Sequence, residues 1–131
     1  MKLILITPPT CFVEEDKIIT ALFEEGLDLL HLRKPDIAPM YAERLLTLIP
    51  EQYHKRIVVH ENFYLKDEYM LKGIHLNSRN PHIPDNYKGH ISHSCHTLEE
   101  VKECKKGCDY VFLSPVFDSI SKQSYHSNYT P

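Results

Sequence analysis

Six short apolar runs recur along this chain, at residues 2–6, 27–33, 56–60, 73–76, 90–94 and 109–114, with helical periodicity between most of them. That alternation constrains the fold more than any other feature, because parallel strands cannot be joined by tight turns and need crossovers of helical length. The runs show little polar alternation, as expected of strands covered on both faces. Tyr110-Val-Phe-Leu113 is the clearest, and it leads through Ser114-Pro115 into a polar loop. Residues 13–25 place Ile18, Ile19, Leu22 and Phe23 on a helical face and stop at Gly26, and residues 40–49 open behind Pro39 and stop at Pro50. Residues 63–71 read as a third short helix. Residues 77–88, with Asn-Pro and Pro-Asp pairs and no period, read as loop with at most a turn of helix. Thr97 and Glu100 have the spacing of a capping box for a helix that Gly107 ends.

Six such units call for an α/β fold with a parallel sheet and right-handed crossovers. An open, doubly wound sheet would carry a glycine-rich turn after its first strand; Thr7-Pro8-Pro9-Thr10 contains no glycine, which favours a barrel. The expected fold is a TIM (β/α)8 barrel, with residues 1–131 a single domain holding about the first six βα units. A closed barrel takes about 200 residues or more. The chain is therefore expected to be the leading part of a longer product, with residues 119–131 a mobile loop after the sixth strand.

The composition, 42% apolar and 25% charged with a net charge of -3, suits a globular core and supplies no basic face for nucleic acid. The opening run is broken by Thr7-Pro8-Pro9, too early for a signal peptide, and no run approaches the roughly 20 apolar residues of a membrane span. No membrane partner and a cytoplasmic location are expected. Cys11, Cys95, Cys104 and Cys108 read as reduced thiols. Cys104 and Cys108 have ligand chemistry, but the pair falls across a helix end, and no second Cys/His pair is evident beside it.

Polar residues gather at the carboxyl ends of the expected strands: His31 and Arg33 on the second, His60 and Glu61 on the third, His75 on the fourth, Ser94 and His96 on the fifth, and Lys122 beyond the sixth. A barrel places its active site there. Taken singly, each histidine reads more readily as a satisfied core or loop residue. A zinc site of several imidazoles is a competing reading, weakened because the first strand offers no ligand pair and Glu61 is the only nearby carboxylate.

Four motifs in order carry a family resemblance: His31-Leu-Arg33, Gly73-Ile-His75-Leu76, Ser94-Cys-His96-Thr97, and Ser114-Pro115-Val116-Phe117 leading to Ser119, Ser121 and Lys122. With these the chain resembles the thiamine phosphate synthase and TenI thiazole tautomerase superfamily of TIM barrels, along essentially its whole length. The resemblance implies an enzyme of thiamine biosynthesis that binds a phosphorylated hydroxyethylthiazole through His31, Arg33, Lys34, His60, Ser94, Ser119, Ser121 and Lys122. In the synthase branch a pyrimidine methyl pyrophosphate loses pyrophosphate and is captured by the thiazole nitrogen, with magnesium held by an Asn-Asp pair and a further Asp. Here His60-Glu61 replaces the pair, Asn80 stands at the second aspartate, and Pro35 occupies the position of a synthase lysine, with Lys34 one residue early. Because magnesium favours carboxylate oxygens, these departures tilt the reading to the metal-free tautomerase branch. His96 is then the expected proton-transfer base, kept neutral by its place at a helix N-terminus. The alternatives are a magnesium-dependent synthase and a non-catalytic, ligand-binding relative. The expected partner is the small phosphorylated thiazole, with a homodimer left open.

Overall fold

The computed structural model describes residues 2–113. The expected loop, with Ser119, Ser121 and Lys122, lies outside the described residues. Strands β1 (Ile4–Ile6), β2 (Leu29–Leu32), β3 (Ile57–Val59), β4 (Gly73–Leu76), β5 (His90–Cys95) and β6 (Tyr110–Leu113) form one sheet. Every pairing is parallel and the spatial order is the sequence order. A doubly wound sheet reverses its order at a switch point, whereas a barrel adds each strand beside the last. The six strands accordingly make a curled half-barrel, a partial TIM barrel of α/β class.

The two faces of the sheet differ because side chains alternate along each strand. Leu30, Leu32, Ile57, Val59, Ile74 and Leu76 pack into one core with Ile19 and Phe23 of α1 (Glu15–Glu24), Ala42, Leu45 and Leu46 of α2 (Pro39–Leu48), and Leu65 of α3 (Leu65–Glu68). The helix spacings 19/23 and 42/45/46 are those of one face of a 3.6-residue repeat. The helices therefore cover the convex face. α1 ends where Gly26 turns to a φ of 109°, which lets the Leu27 N–H donate to the Leu22 carbonyl at 2.9 Å.

Two elements depart from the sequence pattern. The third helix is short because Met70 adopts a φ of 54° and the Leu71 N–H closes back on the Lys66 carbonyl, a capping turn that the apolar pattern of residues 63–71 does not announce. Beyond Pro50 the chain forms a 3-10 helix at Glu51–Arg56, whose three-residue repeat escapes a search for 3.6-residue periodicity. His54 within it is buried, with Nε2 2.8 Å from the Leu46 carbonyl at the end of α2. At α4 (Leu98–Cys104) the Thr97 hydroxyl accepts from the Glu100 N–H at 3.1 Å, while the Glu100 carboxylate accepts from the His96 N–H. Among the described residues no helix is long and apolar enough to cross a membrane.

Gly73 shows how tightly β4 and β5 approach. A Cβ there would lie 2.1 Å from the His90 carbonyl oxygen, well inside van der Waals contact with a backbone atom. Gly73→Ala is expected to lower the urea midpoint, at a cost of about 1–3 kcal/mol or more, as overpacking does. An unchanged midpoint would show that β4 and β5 separate freely.

Candidate functional site

The concave face carries the other parity of each strand: His31 from β2, His60 just past β3, His75 from β4, Ser92 and Ser94 from β5, and Tyr110 and Phe112 from β6. Flat neighbours lie about 4.8 Å apart, so β2 and β6 would be about 19 Å apart in a flat sheet. Yet the Tyr110 hydroxyl lies 2.5 Å from His31 Nε2. The sheet must curl to bring them together. Phe112 closes over the same space, its ring centroid 5.1 Å from His31 and 5.0 Å from His75.

The three imidazoles are linked. His31 Nδ1 lies 2.8 Å from His60 Nε2, the His60 and His75 rings stack at 4.1 Å, and His75 is held between the Ser92 and Ser94 hydroxyls at 2.6 Å each. A neutral imidazole has one N–H, so the His31 bonds form a directed chain: if Tyr110 donates to Nε2, Nδ1–H donates to His60. Burial, reinforced by the neighbouring imidazoles, pulls the pKa of His31 down to about 3, of His60 to about 2 and of His75 to about 4. All three are neutral near pH 7.

The three ring sets stand close enough to hold a metal ion, with one nitrogen of each within 4.8 Å of the others. However, they are no more than 3% exposed and their nitrogens are largely engaged with each other and with hydroxyls. They act as a hydrogen-bonded floor. The rim above it is charged. Arg33 follows β2, and its guanidinium, with that of Arg79, depresses the pKa of His60 and favours the Glu61 carboxylate. Glu61 accepts from the Lys34 backbone N–H at 2.9 Å and pairs with Arg79 at 3.4 Å, while burial pushes its pKa up. Asn80 donates to the His60 carbonyl at 3.3 Å.

These positions do not fit magnesium among the described residues. His60 turns its ring into the floor, both Glu61 oxygens have donors, and one amide oxygen is a poor substitute for a carboxylate. Lys34, expected at a phosphate, is placed elsewhere: its ammonium donates to the Pro8 and Thr10 carbonyls and to Glu15 at 2.7–2.8 Å, using all its donors inside the protein. His31, His60 and Ser94 converge, with Arg33 near His60. His96 lies exposed one residue beyond β5. Tyr110 and Phe112 were not singled out by the sequence, although their shared parity in Tyr-Val-Phe-Leu is the signal that places both on one face.

Comparison with known proteins adds the family context. The family model described as thiamine monophosphate synthase matches residues 3–129. A solved structure described as thiamine phosphate pyrophosphorylase from Bacteroides thetaiotaomicron is 66% identical to the chain, with a TM-score of 0.85. The match covers 95% of this chain and 61% of that one, so the chain spans about three fifths of its relative. The search of curated proteins gives no match.

The imidazole floor generates a pH prediction. Folded pKa values lie below the ordinary 6.5, so below that pH the unfolded chain takes up protons that the native one refuses. Stability is full above about 6.5 and is lost as the pH falls toward 4, by up to about 1.4 kcal/mol per pH unit for each imidazole. Urea midpoints measured across that window should fall steeply, and less steeply in His60→Gln. A flat profile in the parent protein would mean the imidazoles are solvated.

Proposed function

The chain belongs to the thiamine monophosphate synthase family, and from that premise we propose that the whole protein joins a pyrimidine methyl pyrophosphate to hydroxyethylthiazole phosphate. The observation that carries this reading is the 66% identity to a structure described as thiamine phosphate pyrophosphorylase. In the coupling, the C–O bond to pyrophosphate breaks with its electron pair leaving on the pyrophosphate. The thiazole nitrogen lone pair forms the new C–N bond. No oxidant or reductant is needed.

This chain's part is electrostatic. Arg33 and Arg79 flank the carboxyl ends of β2 to β4, where they offer forked donors to phosphate oxygens without a metal. Glu61 pairs with Arg79, and Asn80 donates to the His60 backbone carbonyl beneath the rim. A preorganised guanidinium facing a leaving pyrophosphate stabilises charge that grows in the transition state.

A second reading, thiazole phosphate tautomerase, draws support from the poor fit of Glu61 and Asn80 to magnesium, since that proton transfer needs neither metal nor pyrophosphate. In it His96, exposed past β5, is the base.

Two assays on the whole protein separate the readings. Calorimetry should show pyrophosphate binding that changes little with magnesium and weakens about tenfold or more in Arg79→Ala, a loss of about 1.4 kcal/mol or more. Magnesium-dependent binding indifferent to Arg79 would overturn the arginine role. Formation of thiamine phosphate from the two substrates is the expected activity. If the protein instead isomerises the thiazole carboxylate phosphate, and His96→Asn slows that by about 10²–10⁴-fold, the tautomerase reading replaces it.

A further inference from the structure

A second cluster of ligand-type side chains lies on the opposite side of the sheet. His93 and Cys95 stand two residues apart on β5 and so share its helix-facing parity. Cys104 ends α4, and ligand atoms of these three residues all lie within 4.8 Å of one another. Cys108, four residues on and half-buried, follows the turn in which the Gly107 N–H donates to the Cys104 carbonyl at 3.2 Å. The pair Cys104 and Cys108, which lacks an evident partner in the sequence, has one across the β5–α4 layer.

We propose that His93, Cys95, Cys104 and Cys108 form a structural zinc site that fastens α4 to β5. The donor set is the Cys3His combination of closed, tetrahedral zinc sites. Bond lengths of about 2.3 Å to sulfur and about 2.0 Å to nitrogen put tetrahedral ligand atoms about 3.5–3.8 Å apart, so His93, Cys95 and Cys104 need only a small contraction while the turn that carries Cys108 closes in as the ion binds. His93 is already oriented: Nδ1 donates to the Ser94 carbonyl at 2.7 Å, which fixes the tautomer with its lone pair on Nε2. Metal-bound histidines are held in this way by backbone carbonyls. Cys95 is fully buried while His93, Cys104 and Cys108 are half-buried, so an ion has a route from the surface.

Among the described residues, α4 buries none of its side chains, and Leu98 at its start is 65% exposed. α1 and α2 each bury three. A metal that binds only the folded arrangement would fasten α4 to the sheet, since the binding free energy is then folding free energy. The concave floor differs in chemistry, having only nitrogen ligands and no thiol.

The test is metal analysis of the whole protein, reduced and purified without chelator, followed by cobalt(II) substitution. Stoichiometric zinc is expected, with a cobalt derivative showing an intense thiolate-to-metal charge-transfer band and a raised melting temperature. Cys104→Ser and Cys108→Ser, both at half-buried positions, should weaken that band and lower zinc retention, whereas Cys11→Ser, at the exposed free cysteine, should change neither. Absence of zinc after reconstitution overturns the proposal. So does a cobalt spectrum lacking the charge-transfer band, which would put the metal on imidazoles of the floor, or a Cys95–Cys104 disulfide persisting in the freshly purified protein.

Discussion

The contact between Tyr110 and His31 depends on curvature that no pair of neighbouring strands contains. Four strand spacings separate their backbones along the sheet, and the hydrogen bond exists only because twist and coiling accumulate from β2 to β6. Once closed, that contact makes the concave face a buried interior. Polar groups in such a place are costly unless paired, and here each imidazole finds a hydroxyl or another imidazole. The same burial removes their charge, so the floor is neutral near pH 7 while the charged groups lie at the rim.

The charged groups are sorted by what burial permits. Arg33, Glu61 and Arg79 stay at the rim, where water still screens them and where the proposed phosphate contacts lie. Lys34 is the exception, with both members of its 2.7 Å ion pair to Glu15 only 3% exposed. Its two further bonds to loop carbonyls offset the cost of burying an ammonium and tie the segment after β1 to the end of β2. With all three ammonium donors engaged, Lys34 fastens the loop and is not available to an anion.

The convex side differs in composition between its two halves. Between β1 and β4 the sheet is covered by Ile19, Phe23, Leu45, Leu46 and Leu65, an apolar seam that buries one face of its helices. At β5 that seam gives way to His93 and Cys95, and α4 brings Cys104 and no buried apolar residue. The change from hydrocarbon to thiol and imidazole at one helix marks the place of the proposed zinc site.

The sequence by itself determined the class of fold and the order of its parts. Strand and helix periods of 2.0 and 3.6 residues are local, so β4 at Gly73–Leu76 and α2 behind Pro39 were legible to within a residue or two. The parity of His31 against Leu30 and Leu32 was legible for the same reason. What the sequence could not carry was anything requiring distance across the fold. Lys34 stands beside Arg33 in the chain, and only the loop after β1, folding back on it, decided that its ammonium points into the protein. His93 and Cys95 meet Cys104 because α4 lies against β5, a matter of packing. The floor of three imidazoles required the curl of the whole sheet, a property to which every strand adds a few degrees and which no single segment records.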